Sequence, residues 1–369
     1  MNKVKLGEIL SVKHGWAFKG EFFAEKGEQS ILTPGNFWEK GGFKPNSGRE
    51  RYYTGTYPEE YLCHKGDLIV AMTQQAEGLL GSTALVPDDN KYLHNQRIGL
   101  ITCDGRYLNK LYAYYLFMTK SVREQLERSS SGTKVKHTSP EKIYDVEVEI
   151  PDISLQKKIA NLLWSIDRKI DNNDKINDNL AAMAYDIYMH TFFLKKPNGR
   201  LKDILIEADK SSVQVGEAKQ STGEYPFFTS GSAILKWNTP FIKGRNCFLN
   251  TGGNADVKFY VGEAAYSTDT WCISANNALS DYLYLLLYSI KPELDQKFFQ
   301  GTGLKHLQKP LLKERAIYIP EKAEIEAFNK RIIPMFNIIS ENTRENQQLI
   351  TLSDWLLPML MNGQATISD

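Results

Sequence analysis

Cysteine is scarce. The 369 residues hold four, at Cys63, Cys103, Cys247 and Cys272, widely spaced and with no CxxC pair. This leaves no disulfide framework and no zinc-ligand spacing, so the thiols read as free and buried. Long apolar runs are also missing. No stretch reaches the roughly 18 consecutive apolar residues of a membrane span, and the opening MNKVKLGEILSVKHGW lacks the apolar segment of a secretion signal. A soluble, cytoplasmic protein with no membrane association is expected. Charge of one sign is lacking too: 45 Lys and Arg against 44 Asp and Glu give a net charge of +1. Any surface that meets a polyanion must then be a local patch, because composition supplies no general basic footprint.

Catalytic signatures are absent as well. No GxxxxGK[ST] offers a phosphate cradle, no HExxH places two histidines on a helix face, and no GxSxG elbow is present. The six histidines are scattered. One formal match to a metal nuclease exists, Pro151-Asp152 followed by Asp167-Arg168-Lys169. Asp167 and Lys169 flank apolar positions of a helical pattern, however, and read as a solvated helix face. A non-catalytic chain, with no metal and no cofactor of its own, is the expectation.

What the sequence does have is an internal duplication. Gly132-Thr133-Lys134-Val135-Lys136-His137 recurs 169 residues later as Gly301-Thr302-Gly303-Leu304-Lys305-His306. The same shift carries Ile150-Pro151 onto Ile319-Pro320, each pair closing a short β-like run, DVEVEI and RAIYI. Beyond each lies a heptad pattern with apolar residues spaced by four and three. The first is Ile159, Leu163, Ile166, Ile170, Asn173, Asn177, Leu180, Ala184 and Ile187. The second is Phe328, Ile332, Met335, Ile339, Asn342, Asn346, Leu349, Ser353 and Leu356. Such spacing makes one seam along a supercoiling helix. Both seams switch to two consecutive asparagines at matching places. Seam asparagines cost stability but fix register, because a slipped pairing buries an unsatisfied amide. Two long helices packed on one another are expected, the first uninterrupted from Ser154 to Phe193, the second bent or broken near Pro334.

A globular region precedes each helix. LGEIL at Leu6 and LKDIL at Leu201 look like matching entries, 195 residues apart, so the first region is longer by about 26 residues. With the turn cluster Lys195-Lys196-Pro197-Asn198-Gly199 as a boundary, the organisation is region 1–151, helix 152–195, region 196–320, helix 321–369. The fold class is α+β: two mixed α/β regions alternating with two long helices in an antiparallel coiled coil, related by a pseudo-two-fold repeat. Tyrosine- and leucine-rich helices at Tyr107–Met118 and Asp281–Ile290 read as core.

Two loops in the globular regions suit nucleic-acid chemistry. Gly66–Met72 is a turn and a buried strand that empties into Thr73-Gln74-Gln75-Ala76-Glu77-Gly78. Cys247–Asn250 leads into Thr251-Gly252-Gly253-Asn254-Ala255-Asp256. Gln and Asn at strand ends can bond adenine bidentately, which makes Gln74, Gln75, Asn250 and Asn254 candidate base readers. Taken singly, each loop also reads as a solvated turn. Lys134, Lys136 and His137, with Lys305 and His306 in the second copy, form short cationic clusters suited to phosphate. Their recurrence favours a role over a solvated loop.

Together, LGEIL…GWAFKG, ILTPGNF, GDLIVAM, SSGTKVKH and EIPDISLQKKIANLLWSIDRKID resemble the specificity subunits of type I restriction–modification enzymes. The resemblance spans almost the whole chain. The second copy departs from it at IPEKAEIEAFNKRI, where Ile325 stands in the place of Gln156. The resemblance implies two target-recognition domains, each reading one half of an asymmetric, interrupted site in double-stranded DNA. It implies that the paired helices act as spacer and docking surface for two modification subunits, with restriction subunits completing the complex. S-adenosylmethionine, ATP and Mg²⁺ would belong to those partners. A specificity protein of a stand-alone methyltransferase and a helical scaffold binding protein or glycan stay open beside this reading.

Overall fold

The computed structural model describes residues 2–46, 48–74, 78–132 and 135–367. The chain divides into two compact units, 1–168 with 350–369, and 169–349. Each unit therefore takes a globular region together with one portion of each long helix.

In the first unit a four-stranded antiparallel sheet runs in the order Leu10–His14, Ile98–Cys103, Leu68–Ala71, Thr83–Leu85. The LIVA strand does not alternate polar and apolar residues because both of its faces are covered. Leu68 and Val70 join one apolar cluster and Ile69 and Ala71 another. The second unit repeats the design with the order Leu205–Glu207, Thr270–Ala275, Arg245–Asn250, Val257–Val261. There Cys247 and Leu249 face one cluster and Phe248 the other. The β-like runs before each Ile-Pro are strands. Glu147–Ile150 pairs with Asn2–Lys5, and Ala316–Ile317 with Gly199–Arg200.

The tyrosine-rich segments are helices, Lys110–Leu116 and Ser280–Ser289, with Tyr112, Tyr114, Tyr115, Tyr282, Leu283 and Leu286 buried. They are core, as the sequence indicates.

The long helices span Ile153–Tyr188, continued by a π-helical turn at Met189–Phe193, and Lys322–Met361. Asp152 starts the first by accepting the Leu155 N–H at 2.9 Å. In the first unit Ile159, Leu163, Leu360 and Met361 share a buried cluster, and Ile166 is buried. In the second unit Ala184, Ile187, Phe328, Ile332 and Phe336 do the same, with Met335 and Ile339 packed on them. Ile170 and Leu349 are half-buried.

The asparagines of the seam meet in the second unit. Asn173 donates to the Asn346 side-chain carbonyl at 2.8 Å, and Asn342 donates to that of Asn177 at 2.9 Å. Rising numbers on one helix meet falling numbers on the other, so the pair is antiparallel. Each asparagine also meets the non-equivalent asparagine of the other copy, as a two-fold relation requires. Asn173 donates further to Glu345 and Asn346 to Asp174, both at 2.7 Å, which leaves these buried amides well partnered.

The expected interruption at Pro334 does not occur: the second helix is continuous through both Pro334 and Pro358. Both prolines lie on the exposed side. The carbonyl that each ring deprives of its amide partner is thereby open to water, and burial of Ile332 and Phe336 on the opposite side holds the helix together.

Candidate nucleic-acid interface

In each unit the two segments singled out from the sequence come together at one end of the main sheet. As the Leu68–Ala71 strand ends, Met72 donates its N–H to the Arg97 carbonyl at 3.0 Å and accepts the Thr138 N–H at 2.9 Å. The chain then forms a two-residue ribbon in which Gln74 faces Lys136 and Thr73 faces His137. The second unit builds the same junction. Thr251 donates to the Asp269 carbonyl and accepts the Leu307 N–H, both at 3.0 Å. Gly252 then bridges His306, and Gly253 donates to the Lys305 carbonyl at 2.9 Å. These hydrogen bonds make Met72 equivalent to Thr251, Gln74 to Gly253, and Arg97 to Asp269.

Glycine opens the repeated GT segment for a steric reason. Gly132 and Gly301 have φ of +99° and +150°. A Cβ there would meet the carbonyl oxygens of Val135 at 2.1 Å and Leu304 at 2.6 Å. The turn that delivers Lys136-His137 and Lys305-His306 to the ribbon therefore needs glycine in both copies.

The candidate side chains divide by what they already hold. Gln74 uses its carbonyl to accept the Leu80 N–H at 3.0 Å, bracing its own loop. Exposed His137 meets the Thr73 hydroxyl through Nδ1 at 3.0 Å. Lys136 is paired with Glu127, and Lys305 with Asp295 at 3.1 Å. The Ala255 N–H and Lys305 hold the Asp295 carboxyl below its ordinary range. His306 and Asn254 are exposed. Gln75 and Lys134 lie outside the described residues.

Asn250 departs from its sequence reading as an outward amide. It is the last residue of a buried strand, donates to the Gly252 and Asn254 carbonyls, and accepts the Asp256 N–H at 2.7 Å. Its amide is consumed in folding the loop that presents Asn254.

Comparison with known proteins decides the family. A family model described as the type I restriction modification DNA specificity domain matches twice, over residues 1–182 and 196–352. The chain belongs to this family.

Its relatives include the type I restriction enzyme MjaIX specificity subunit of Methanocaldococcus jannaschii, 23% identical over 70% of this chain and 69% of that one. The MjaVIII specificity subunit of the same organism is 25% identical over 48% of this chain and 42% of its own length. The EcoBI specificity subunit of Escherichia coli is 25% identical over 46% of this chain and 33% of its own length. The fold is similar to the crystal structure of the type I restriction–modification S subunit from M. genitalium. That match has a TM-score of 0.66 at 16% identity and covers 100% of this chain and 96% of the other.

For a member of this family, the nuclease-like acid pattern falls into structural roles. Asp152 caps a helix. Asp167 is half-buried rather than solvated. It accepts the Tyr115 hydroxyl at 2.6 Å, and burial raises its carboxyl above the usual range. Lys169 pairs with Glu345 at 3.1 Å. Among the described residues no group of three His, Cys, Asp or Glu is placed to hold a metal. The thiols of Cys63, Cys103 and Cys272 are pushed up to about 12 by burial, which keeps them protonated. No described helix is long and apolar enough to cross a membrane.

Sequence reasoning missed the turns beside the ribbon, at Asn95-Gln96-Arg97 and Ser267-Thr268-Asp269. They share no residue identity, and they are offset by a different number from the GT repeat, so only the hydrogen-bond pattern equates them.

Proposed function

We propose that this chain is the DNA-recognition subunit of a type I restriction–modification complex, and that each unit reads one half of a split, asymmetric site in duplex DNA. The observation that carries this reading is the ribbon junction. Both units build it from equivalent backbone bonds, yet fill it with different side chains: Gln74 against Gly253, and Arg97 against Asp269. A conserved frame with exchanged side chains is what two related readers of different sequences need, since backbone contacts position and side chains specify.

In this reading Lys136 and Lys305 contact phosphate, while Gln74 and Asn254 approach base edges. Asn250 acts behind them as a brace. The chain performs no chemistry. Two modification subunits dock on it and supply S-adenosylmethionine for methylation, and restriction subunits supply ATP- and Mg²⁺-dependent translocation and cleavage. In the cell it would work in the cytoplasm with the genome as substrate.

The test is methylated-base mapping of DNA from cells expressing the chain with its modification subunits. Two separated groups of specified bases are expected, with unspecified pairs between them. Purified chain alone, given duplex DNA, Mg²⁺ and S-adenosylmethionine, should leave the DNA uncut and unmethylated. A contiguous palindromic motif, or turnover by the chain alone, would overturn the reading.

A further inference from the structure

Arg97 and Asp269 occupy the same place in the two units. Each is the third residue of a four-residue turn: the Ile98 N–H returns to the Asn95 carbonyl at 2.9 Å, and the Thr270 N–H to the Ser267 carbonyl at 3.0 Å. Each turn feeds the central strand of its sheet, Ile98–Cys103 or Thr270–Ala275. Arg97 and Asp269 each accept, through the backbone carbonyl, the amide of the residue that opens the ribbon. The turns are braced further, by the Asn95 side chain accepting the Arg97 N–H at 3.1 Å and by a Ser267–Thr270 hydroxyl pair at 2.9 Å. Both side chains are therefore carried on a backbone fixed to the sheet.

Both are also exposed, and neither forms an ion pair among the described residues, whereas the neighbouring Lys136 and Lys305 each do. The charge of each turn tip is thus available to a partner. What differs is its sign. A phosphate contact tolerates arginine and repels aspartate, so a shared role at this position cannot be phosphate binding. The edges of bases accept either sign: arginine forks onto guanine O6 and N7, and aspartate accepts from the cytosine N4 amino group.

We propose that Arg97 and Asp269 are specificity-determining residues, Arg97 selecting guanine in one half-site and Asp269 selecting cytosine in the other. This rests on the reading of the chain as a DNA-recognition subunit and adds to it the residues that make the half-sites unequal.

The test is selection of bound duplexes from a randomised library by the full chain with its modification subunits, comparing wild type with Arg97→Gln, Arg97→Lys and Asp269→Asn. Glutamine and asparagine both suit adenine. Arg97→Gln should turn one guanine of one half-site into adenine. Asp269→Asn should turn one cytosine of the other half-site into adenine, and every other position should stay as in wild type. Arg97→Lys keeps the charge but loses the fork, so preference for that guanine should fall by roughly ten- to a hundred-fold. If the variants weaken binding equally on all sequences, or leave both half-sites unchanged, the assignment is wrong while DNA recognition stands. If wild type itself enriches no sequence, the parent reading fails with it.

Discussion

The side-chain amide of Asn329 donates to the backbone carbonyl of Ala278 at 2.8 Å. In the first unit the equivalent tie runs from Gln156, which accepts the Asn109 N–H at 2.9 Å and donates to the Tyr107 and Pro151 carbonyls. Asn109 and Ala278 match under the 169-residue shift, but Gln156 and Asn329 do not: Asn329 lies one helical turn further along. Ile325, which occupies the place of Gln156, is buried in the apolar core of its unit. Each long helix thus grips the loop before the tyrosine-rich helix with one amide, from a different turn.

Gln156 is fully buried and serves three backbone groups. Gln156→Ala should lower the stability of the first unit by about 2–3 kcal/mol, since the abandoned groups keep their desolvation cost. A urea midpoint that does not move would refute the grip. Ile325→Gln, by contrast, should destabilise the second unit, because its amide enters an apolar cluster where Asn329 already holds the loop.

Ala278 has φ of +59°, in the left-handed region. Ala278→Gly removes the Cβ conflict there and should stabilise by about 1 kcal/mol, less whatever glycine adds to unfolded-chain entropy. With that entropy taking back about half, a rise of about 1–2 °C in the melting of a unit of this size is expected. A fall would mean that the strain at Ala278 is smaller than the entropy glycine adds to the unfolded chain.

The asparagine layer should show strong coupling. Asn346→Leu takes from the buried Asn173 amide one of its two partners and from Asp174 its asparagine donor, and should cost about 1–3 kcal/mol. Asn173→Leu with Asn346→Leu should recover much of that loss, because an apolar seam pair is intrinsically stable. A double-mutant cycle in urea checks this. Additive losses would show that the asparagines act separately.

His94 predicts a pH dependence of the first unit. It is buried, its Nε2 donates to the Ile98 carbonyl at 2.8 Å, and its Nδ1 has no partner. Burial lowers its pKa from 6.5 to about 4. The unfolded chain therefore takes up the proton first. The neutral ring's contribution is complete above about pH 6.5 and is lost as pH falls toward the folded value, by on the order of 3 kcal/mol. Urea midpoints between pH 7 and 4 should fall more steeply for wild type than for His94→Gln. Equal slopes would remove His94 as the titrating group.

The fold was legible where a physical requirement repeats. The seam spacing, the paired asparagines and the strands before each Ile-Pro all recur under one shift, and the structure builds each in both copies. The site was legible as segments and less so as side chains. Asn250 stands on the boundary between strand and loop, and its sequence context gives no sign that its amide turns inward. Pro334 suggests a break only until its exposed position is known. Arg97 and Asp269 share neither identity nor offset, so no sequence signal could equate them before the hydrogen bonds did.

Lys136 and Lys305 bring their own anions, Glu127 and Asp295, fixed to the same chain. A bare lysine on a DNA-binding surface sheds mobile counterions when it meets phosphate, and that release favours any duplex alike. A tethered carboxylate cannot diffuse away, so meeting a phosphate becomes a trade between two anions with little entropy to be gained. For the proposed phosphate contacts, the trade would be close to even on DNA that does not fit and favourable only where the fit presses phosphate and lysine together. A subunit with a net charge of +1 would in this way hold lightly to the bulk of a chromosome, keeping its dwell time for the sequence it reads.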